Sequence, residues 1–159
     1  MIKKKHMRIL FFLYLLILIR VIVFKYPLKM MQDVVSSWQS DIFWEGLPEA
    51  NFQFFKTIKM YIRHWDNRGI NSFGNLIGNI IAFIPLGYMI PRVFKGAENV
   101  LVCMLFALFF VLGIELFQLL TAFGIFDVDD ILLNCLGALI GYLFFKIIKL
   151  FMDKKRLTK

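Results

Sequence analysis

Four stretches of this chain, about residues 7–26, 71–90, 99–120 and 128–148, are runs of mostly apolar side chains. Each approaches the ~20 residues that carry a helix across the hydrocarbon core of a bilayer. Backbone in that medium finds no water, so its N–H and C=O groups must be satisfied within a helix or a closed barrel. Apolar runs of this length predict helices rather than strands. The expected fold is all-α: a polytopic membrane protein with four transmembrane helices, one domain over residues 1–159.

Composition agrees, because 60% of the 159 residues are hydrophobic and only 19% are charged, too few charges for a soluble domain of this size. The net charge of +8 would suit nucleic acid, but most basic residues flank the apolar runs. Topology accounts for them there, and no nucleic-acid partner is expected. Cys103 and Cys135 fall inside apolar runs, outside any metal-ligand spacing, and read as small core residues. Lys3, Lys4, Lys5 and Arg8 ahead of Ile9 imitate a signal peptide. No small-x-small cleavage site follows before Tyr26, so an uncleaved anchor helix is expected.

Charge asymmetry orients the expected bundle. The N-terminus, the 91–98 connection and the C-terminal tail together carry twelve basic residues, against six between residues 25 and 68. The excess of Lys and Arg marks the cytoplasmic side, which places both termini in the cytoplasm of a multi-pass cell-membrane protein. Residues 27–70 then form an extracytoplasmic segment. Within it Phe52, Phe55, Ile58, Ile62 and Trp65 recur at helical spacing, with Lys56, Lys59 and Arg63 between them. That pattern predicts an amphipathic helix lying at the membrane interface.

Amides and carboxylates interrupt three of the apolar runs. Asn71, Asn75 and Asn79 share a stripe; Glu115 and Gln118 lie near the outer end of their helix; Asp127, Asp130 and Asn134 form a further stripe. At ~1.5 Å rise per residue all fall within roughly 10 Å of the same membrane face. Polar groups in hydrocarbon are costly and commonly mark a functional pocket. Arg20 lies at the depth of Glu115, where an ion pair would lower the cost of both charges. Asp127 and Asp130 also fit the N-cap and first turn of a helix, and the asparagines fit interhelical hydrogen bonds. Gly74, Gly78 and Ala82, and Gly137 with Gly141, read as small-residue packing stripes. Asp129 points away from Asp130 on a helix. A cation bound by Asp127, Asp129, Asp130 and Glu115 is the lesser reading, because no metal-loop spacing is present; no metal or other cofactor is expected.

These residues also carry a resemblance. Asn75–Pro91 (NLIGNIIAFIPLGYMIP), Glu115–Gln118 (ELFQ), and Phe126–Tyr142 (FDVDDILLN, then CLGALIGY) resemble the VanZ-like family of bacterial membrane proteins. Asn51–Ile58 (NFQFFKTI) is a weaker match, since relatives tend to read NLIPFKTI and Phe52, Gln53 and Phe54 depart from it. Many relatives carry an arginine before the aspartate turn, and residues 121–126 have no base here. The resemblance implies a cell-envelope protein linked to glycopeptide (teicoplanin) resistance, acting on lipid head groups or lipid-linked cell-wall precursors.

The expected function is therefore engagement of a lipid or lipid-linked head group in the outer leaflet. Glu115, Asp127 and Asp130 are the candidate acids and bases, since burial that raises one of several neighbouring carboxylates suits proton transfer. Asn75, Asn79, Gln118, Asn134, Arg20 and Lys56 are the candidate substrate-binding residues. The alternative is a non-enzymatic binding or shielding protein whose polar residues only hold the bundle together.

Overall fold

The computed structural model describes residues 4–22, 28–36, 42–63 and 65–157. Among these residues the regular elements are helices: α1 (Lys4–Ile22), α2 (Leu28–Ser36), α3 (Ile42–Gly46) with a 3-10 turn at Leu47–Glu49, α4 (Lys56–Arg63), α5 (Trp65–Val93), α6 (Val100–Thr121) and α7 (Val128–Leu157). Among the described residues three segments are long and apolar enough to cross a membrane: Gly74–Val93, Val100–Thr121 and Val128–Lys155. The fourth expected span, 7–26, is described only to Ile22; Arg8 and Arg20 fall within that stretch, and Lys4 and Lys5 precede it in α1. Residues 23–27 lie outside the described residues.

Helix ends differ from the apolar runs for physical reasons. α5 begins at Trp65 rather than Asn71 and continues through Pro91 to Val93. α7 continues past Ile148 to Leu157 over a polar tail. Hydropathy marks the length of helix that suits hydrocarbon, and helical hydrogen bonding continues beyond it. α6 starts at an Asn99 cap, whose side chain accepts the Leu101 N–H at 2.8 Å, and stops where Ala122 turns left-handed at φ 54°.

α5 and α7 form the centre of the bundle and run parallel, because contacting positions advance together along both: Asn79 with Asp130, Ile80 with Gly137, Ile84 with Gly141. Their backbones nearly touch. A Cβ at Gly87 would lie 1.7 Å from the Ala138 carbonyl oxygen, at Gly137 2.1 Å from that of Ile80, and at Gly141 1.9 Å from that of Ile84. The expected Gly137/Gly141 stripe is thus a packing seam, whereas Gly74 and Gly78 face open space and are not. α6 turns Cys103, Ala107 and Val111 inward, all buried, and Phe106, Phe109 and Leu120 outward. Outward apolar side chains of this kind are what a lipid-facing surface requires.

α1 packs on α5 through buried Leu18 and through the Tyr14 hydroxyl, which donates to the Ala82 carbonyl at 2.7 Å. Pro85, one turn on, has no N–H and so interrupts the α5 hydrogen-bond ladder, leaving this stretch more dependent on α1. Tyr14→Phe is expected to cost about 1 kcal/mol without changing the fold, measured as a lowered unfolding midpoint in detergent.

Candidate functional site

Asp127 and Asp129, two residues apart, each begin a helix, but not the same one. Asp127 caps its own helix, accepting the Asp129 N–H on Oδ1 at 2.8 Å. A carboxylate at this position satisfies an amide that has no intrahelical partner and favours the positive end of the helix dipole. Asp129 is fully buried and reaches across to α4. Its Oδ1 accepts the Phe55 N–H at 2.6 Å, and its Oδ2 accepts those of Thr57 at 2.8 Å and Ile58 at 3.1 Å. These are amides around the start of α4, where orphan donors collect. To meet them, Phe55 adopts a left-handed backbone at φ 64°, a conformation costly for a bulky residue and held here by its surroundings.

The link is doubled by Asn51. Its N–H donates to the Phe126 carbonyl at 2.8 Å and its own carbonyl accepts the Val128 N–H at 3.1 Å, a short parallel bridge. Its side-chain amide donates to Asp127 Oδ1 at 2.7 Å and to Thr57 Oγ1 at 3.2 Å, while the Thr57 hydroxyl donates to Asp127 Oδ2 at 2.5 Å. Asn51 Oδ1 accepts the Gln53 N–H at 3.1 Å, which shapes the turn into α4. Residues 51–58 and 126–129 are therefore one hydrogen-bonded unit.

Glu115 supports this unit from below. Its carboxylate is buried, and Oε2 accepts the Asp127 N–H at 3.0 Å. One turn further along α6, buried Gln118 donates to the Ile22 carbonyl at 3.3 Å. The end of α1 that carries Arg20, with an exposed side chain, therefore lies beside the α6 turns that carry Glu115 and Gln118.

Asp130 faces the other way. It is partly exposed, and its Oδ1 accepts the Asn79 side-chain amide from α5 at 2.6 Å. Two turns of α5 thus serve different partners, since exposed Asn75 donates to the Tyr61 hydroxyl of α4 at 3.3 Å. One turn below Asp130 on α7, Asn134 is buried with its Oδ1 unpartnered among the described residues. A buried amide oxygen left without a donor costs roughly 1–3 kcal/mol, so this position favours any donor that arrives. Lys56 is exposed on α4 and lines, with Lys59, Arg63, Phe54 and Phe55, a surface hollow of about 340 Å³. The side chain of Asn71 lies outside what the structure describes.

The candidates therefore divide into two groups. Glu115 and Asp127 meet directly and hold the α7 start; Asn79 and Asp130 meet directly on a partly exposed face beside Asn75 and α4. Asp127 and Asp129 present their oxygens to N–H and O–H donors, an arrangement suited to capping. Among the described residues no group of three or more His, Cys, Asp or Glu side chains is placed to hold a metal ion. Asn51, Thr57 and Tyr61 belong to the site and were not among the sequence candidates; Asp129, weighed there only as a lesser cation ligand, belongs to it as the cap of α4. The signal for Asn51 and Thr57 was the NFQFFKTI stretch, which ends up seated on FDVDD.

A family model described as VanZ/LLP1 matches residues 11–149. Among curated proteins the chain is 30% identical over 88 residues to Protein VanZ of Enterococcus faecium, an alignment covering 55% of this chain and 54% of that one. The chain thus spans about half the length of the curated relative it matches. No solved structure matches.

Proposed function

This chain belongs to the VanZ/LLP1 family, and from that membership and the site geometry we propose that it engages a lipid or lipid-linked head group in the outer leaflet. The observation that carries this reading is the contrast among three neighbouring carboxylates. Asp127 and Asp129 are occupied with helix amides, whereas partly exposed Asp130 is oriented by a side-chain amide, Asn79. Asp130 is then the group that meets the head group and the one to which an acid or base step falls. Glu115 and Asp127 position the start of α7, and Asn75, Asn79 and the unpartnered Asn134 oxygen provide hydrogen-bonding partners for head-group hydroxyls and amides. Lys56, in a separate surface hollow on α4, supplies a cation toward the same end of the bundle. The excess of basic residues at the opposite end supports the outward orientation of this face. A role in teicoplanin resistance is part of the same proposal.

Cells producing the wild type, Asp130→Asn or Asn79→Ala test it through teicoplanin susceptibility, lipid composition and cell-wall precursor analysis, with protein amount measured in the same membranes. Both variants are expected to lose the effect, roughly tenfold or more for a lost charge-assisted contact, at near-normal protein level. Variants that retain the full effect overturn the reading.

The structural alternative has its own support, in the capping roles of Asp127 and Asp129. It predicts that the effect falls only in proportion to folded protein, a result that Asp130→Asn distinguishes because that side chain meets a side-chain amide of α5.

A further inference from the structure

At the other end of the bundle, a cavity of about 390 Å³ opens between the start of α1, the α5–α6 turn and the last part of α7. Ligand pockets typically begin at ~300 Å³. Its charged lining consists of Lys4, Arg92, Lys95 and Lys149 against Glu98 and Asp153. Lys149 is already paired with Glu98 and holds that carboxyl below the ordinary range, so the pair stays ionised and internally neutral. Three cations then face one remaining acid.

The walls are built rather than incidental. The α5–α6 turn is tied to α7 by the Tyr142 hydroxyl, which donates to the Glu98 carbonyl at 2.8 Å. The Phe94 ring of the same turn packs edge-on against Phe11 of α1, centroids 5.7 Å apart. Arg92 lies over the Tyr88 ring, 4.8 Å from its centroid, and donates one N–H to the Tyr88 hydroxyl. A guanidinium has five N–H donors in a rigid fork, so an arginine fixed in this way retains donors matched to phosphate oxygens. Beside the charges, Met7, Phe145 and Met152 form an apolar wall.

We propose that this cavity binds the phosphate group of an anionic phospholipid head group, with Arg92, Lys95 and Lys4 as the recognising cations. A fixed guanidinium and two ammonium groups match the phosphate, and the apolar wall matches the glycerol and first methylenes that follow it. Basic pockets between membrane helices recognise anionic head groups by this combination.

The test uses the full-length protein in a nonionic detergent, titrated with phosphatidylglycerol, phosphatidylcholine or inorganic phosphate and followed by native mass spectrometry and thermal stability. The wild type is expected to retain one phosphatidylglycerol roughly tenfold more tightly than phosphatidylcholine, and Arg92→Gln with Lys95→Gln to lose that preference. If inorganic phosphate displaces the lipid, the phosphate alone is the recognised group; if it does not, recognition needs the attached glycerol as well. Equal binding of the two lipids, or a folded double variant that keeps the preference, overturns the proposal. Lys4→Gln, on a different helix, gives the same readout if the double variant does not fold.

Discussion

Asp129→Ala is expected to release α4 from the bundle and to lower stability by roughly 3–5 kcal/mol, the range found when one partner of a buried charged network is removed. Three backbone N–H groups share this carboxylate, both of its oxygens are used, and no water reaches it. Asp129→Asn should also be damaging, because its NH2 would face either one or two donor N–H groups. Asp127→Asn is the instructive contrast. An amide there can keep its oxygen toward Asn51 and the Asp129 N–H while its NH2 meets the Thr57 hydroxyl, which accepts as well as donates. Thermal unfolding in detergent should rank the variants Asp127→Asn, Asp129→Asn, Asp129→Ala in order of increasing loss. Limited proteolysis should find new cleavage at residues 52–63 only in the Asp129 variants. Equal midpoints for Asp129→Ala and the wild type would show that α4 is held by something else.

Gly87→Ala is the second large effect. One methyl group at this position meets the Ala138 carbonyl oxygen at 1.7 Å, its carbon at 2.5 Å and its Cα at 2.8 Å, all backbone atoms without a rotamer to change. The two central helices must separate, and the expected loss is about 3 kcal/mol. Gly113→Ala on α6 is the control, since nothing lies within 4 Å of a Cβ there. It is expected to be neutral or stabilising by up to ~1 kcal/mol through helix propensity. Similar unfolding midpoints for the two variants would refute the close approach of α5 and α7.

The apolar runs made α5, α6 and α7 legible, because length and hydropathy report the same physical requirement. The start of α5 and the end of α7 were not, since Trp65–Ile70 and Lys149–Leu157 are helical beyond the apolar runs, whereas α6 and the start of α7 fall where the runs placed them. Glu115 was legible as a carboxylate that must find a partner, and that partner is a backbone amide twelve residues on. Asp129 was weighed only as a lesser cation ligand because a helical wheel asks only which face of its own helix a side chain occupies. A carboxylate in the first turn can instead reach past its helix, here to amides 71 to 74 residues away in sequence. Phe55 fits a helical stripe by spacing alone, yet the pull of Asp129 on its N–H places it ahead of the helix with positive φ. Gly74 and Gly87 show the same limit from the packing side: spacing proposes small-residue contacts, and only the neighbouring helix decides which glycines are used.

The Asn51–Asp127 junction also sets a timetable for biosynthesis. Asn51 leaves the ribosome 76 residues before Asp127, a wait of roughly 4–15 s at ~5–20 residues per second. Until translation delivers Asp129 of α7, the amides of Phe55, Thr57 and Ile58 lack their carboxylate, and the α4 segment stays open to insertion factors and proteases. Docking of that segment therefore reports that the start of α7 has been made.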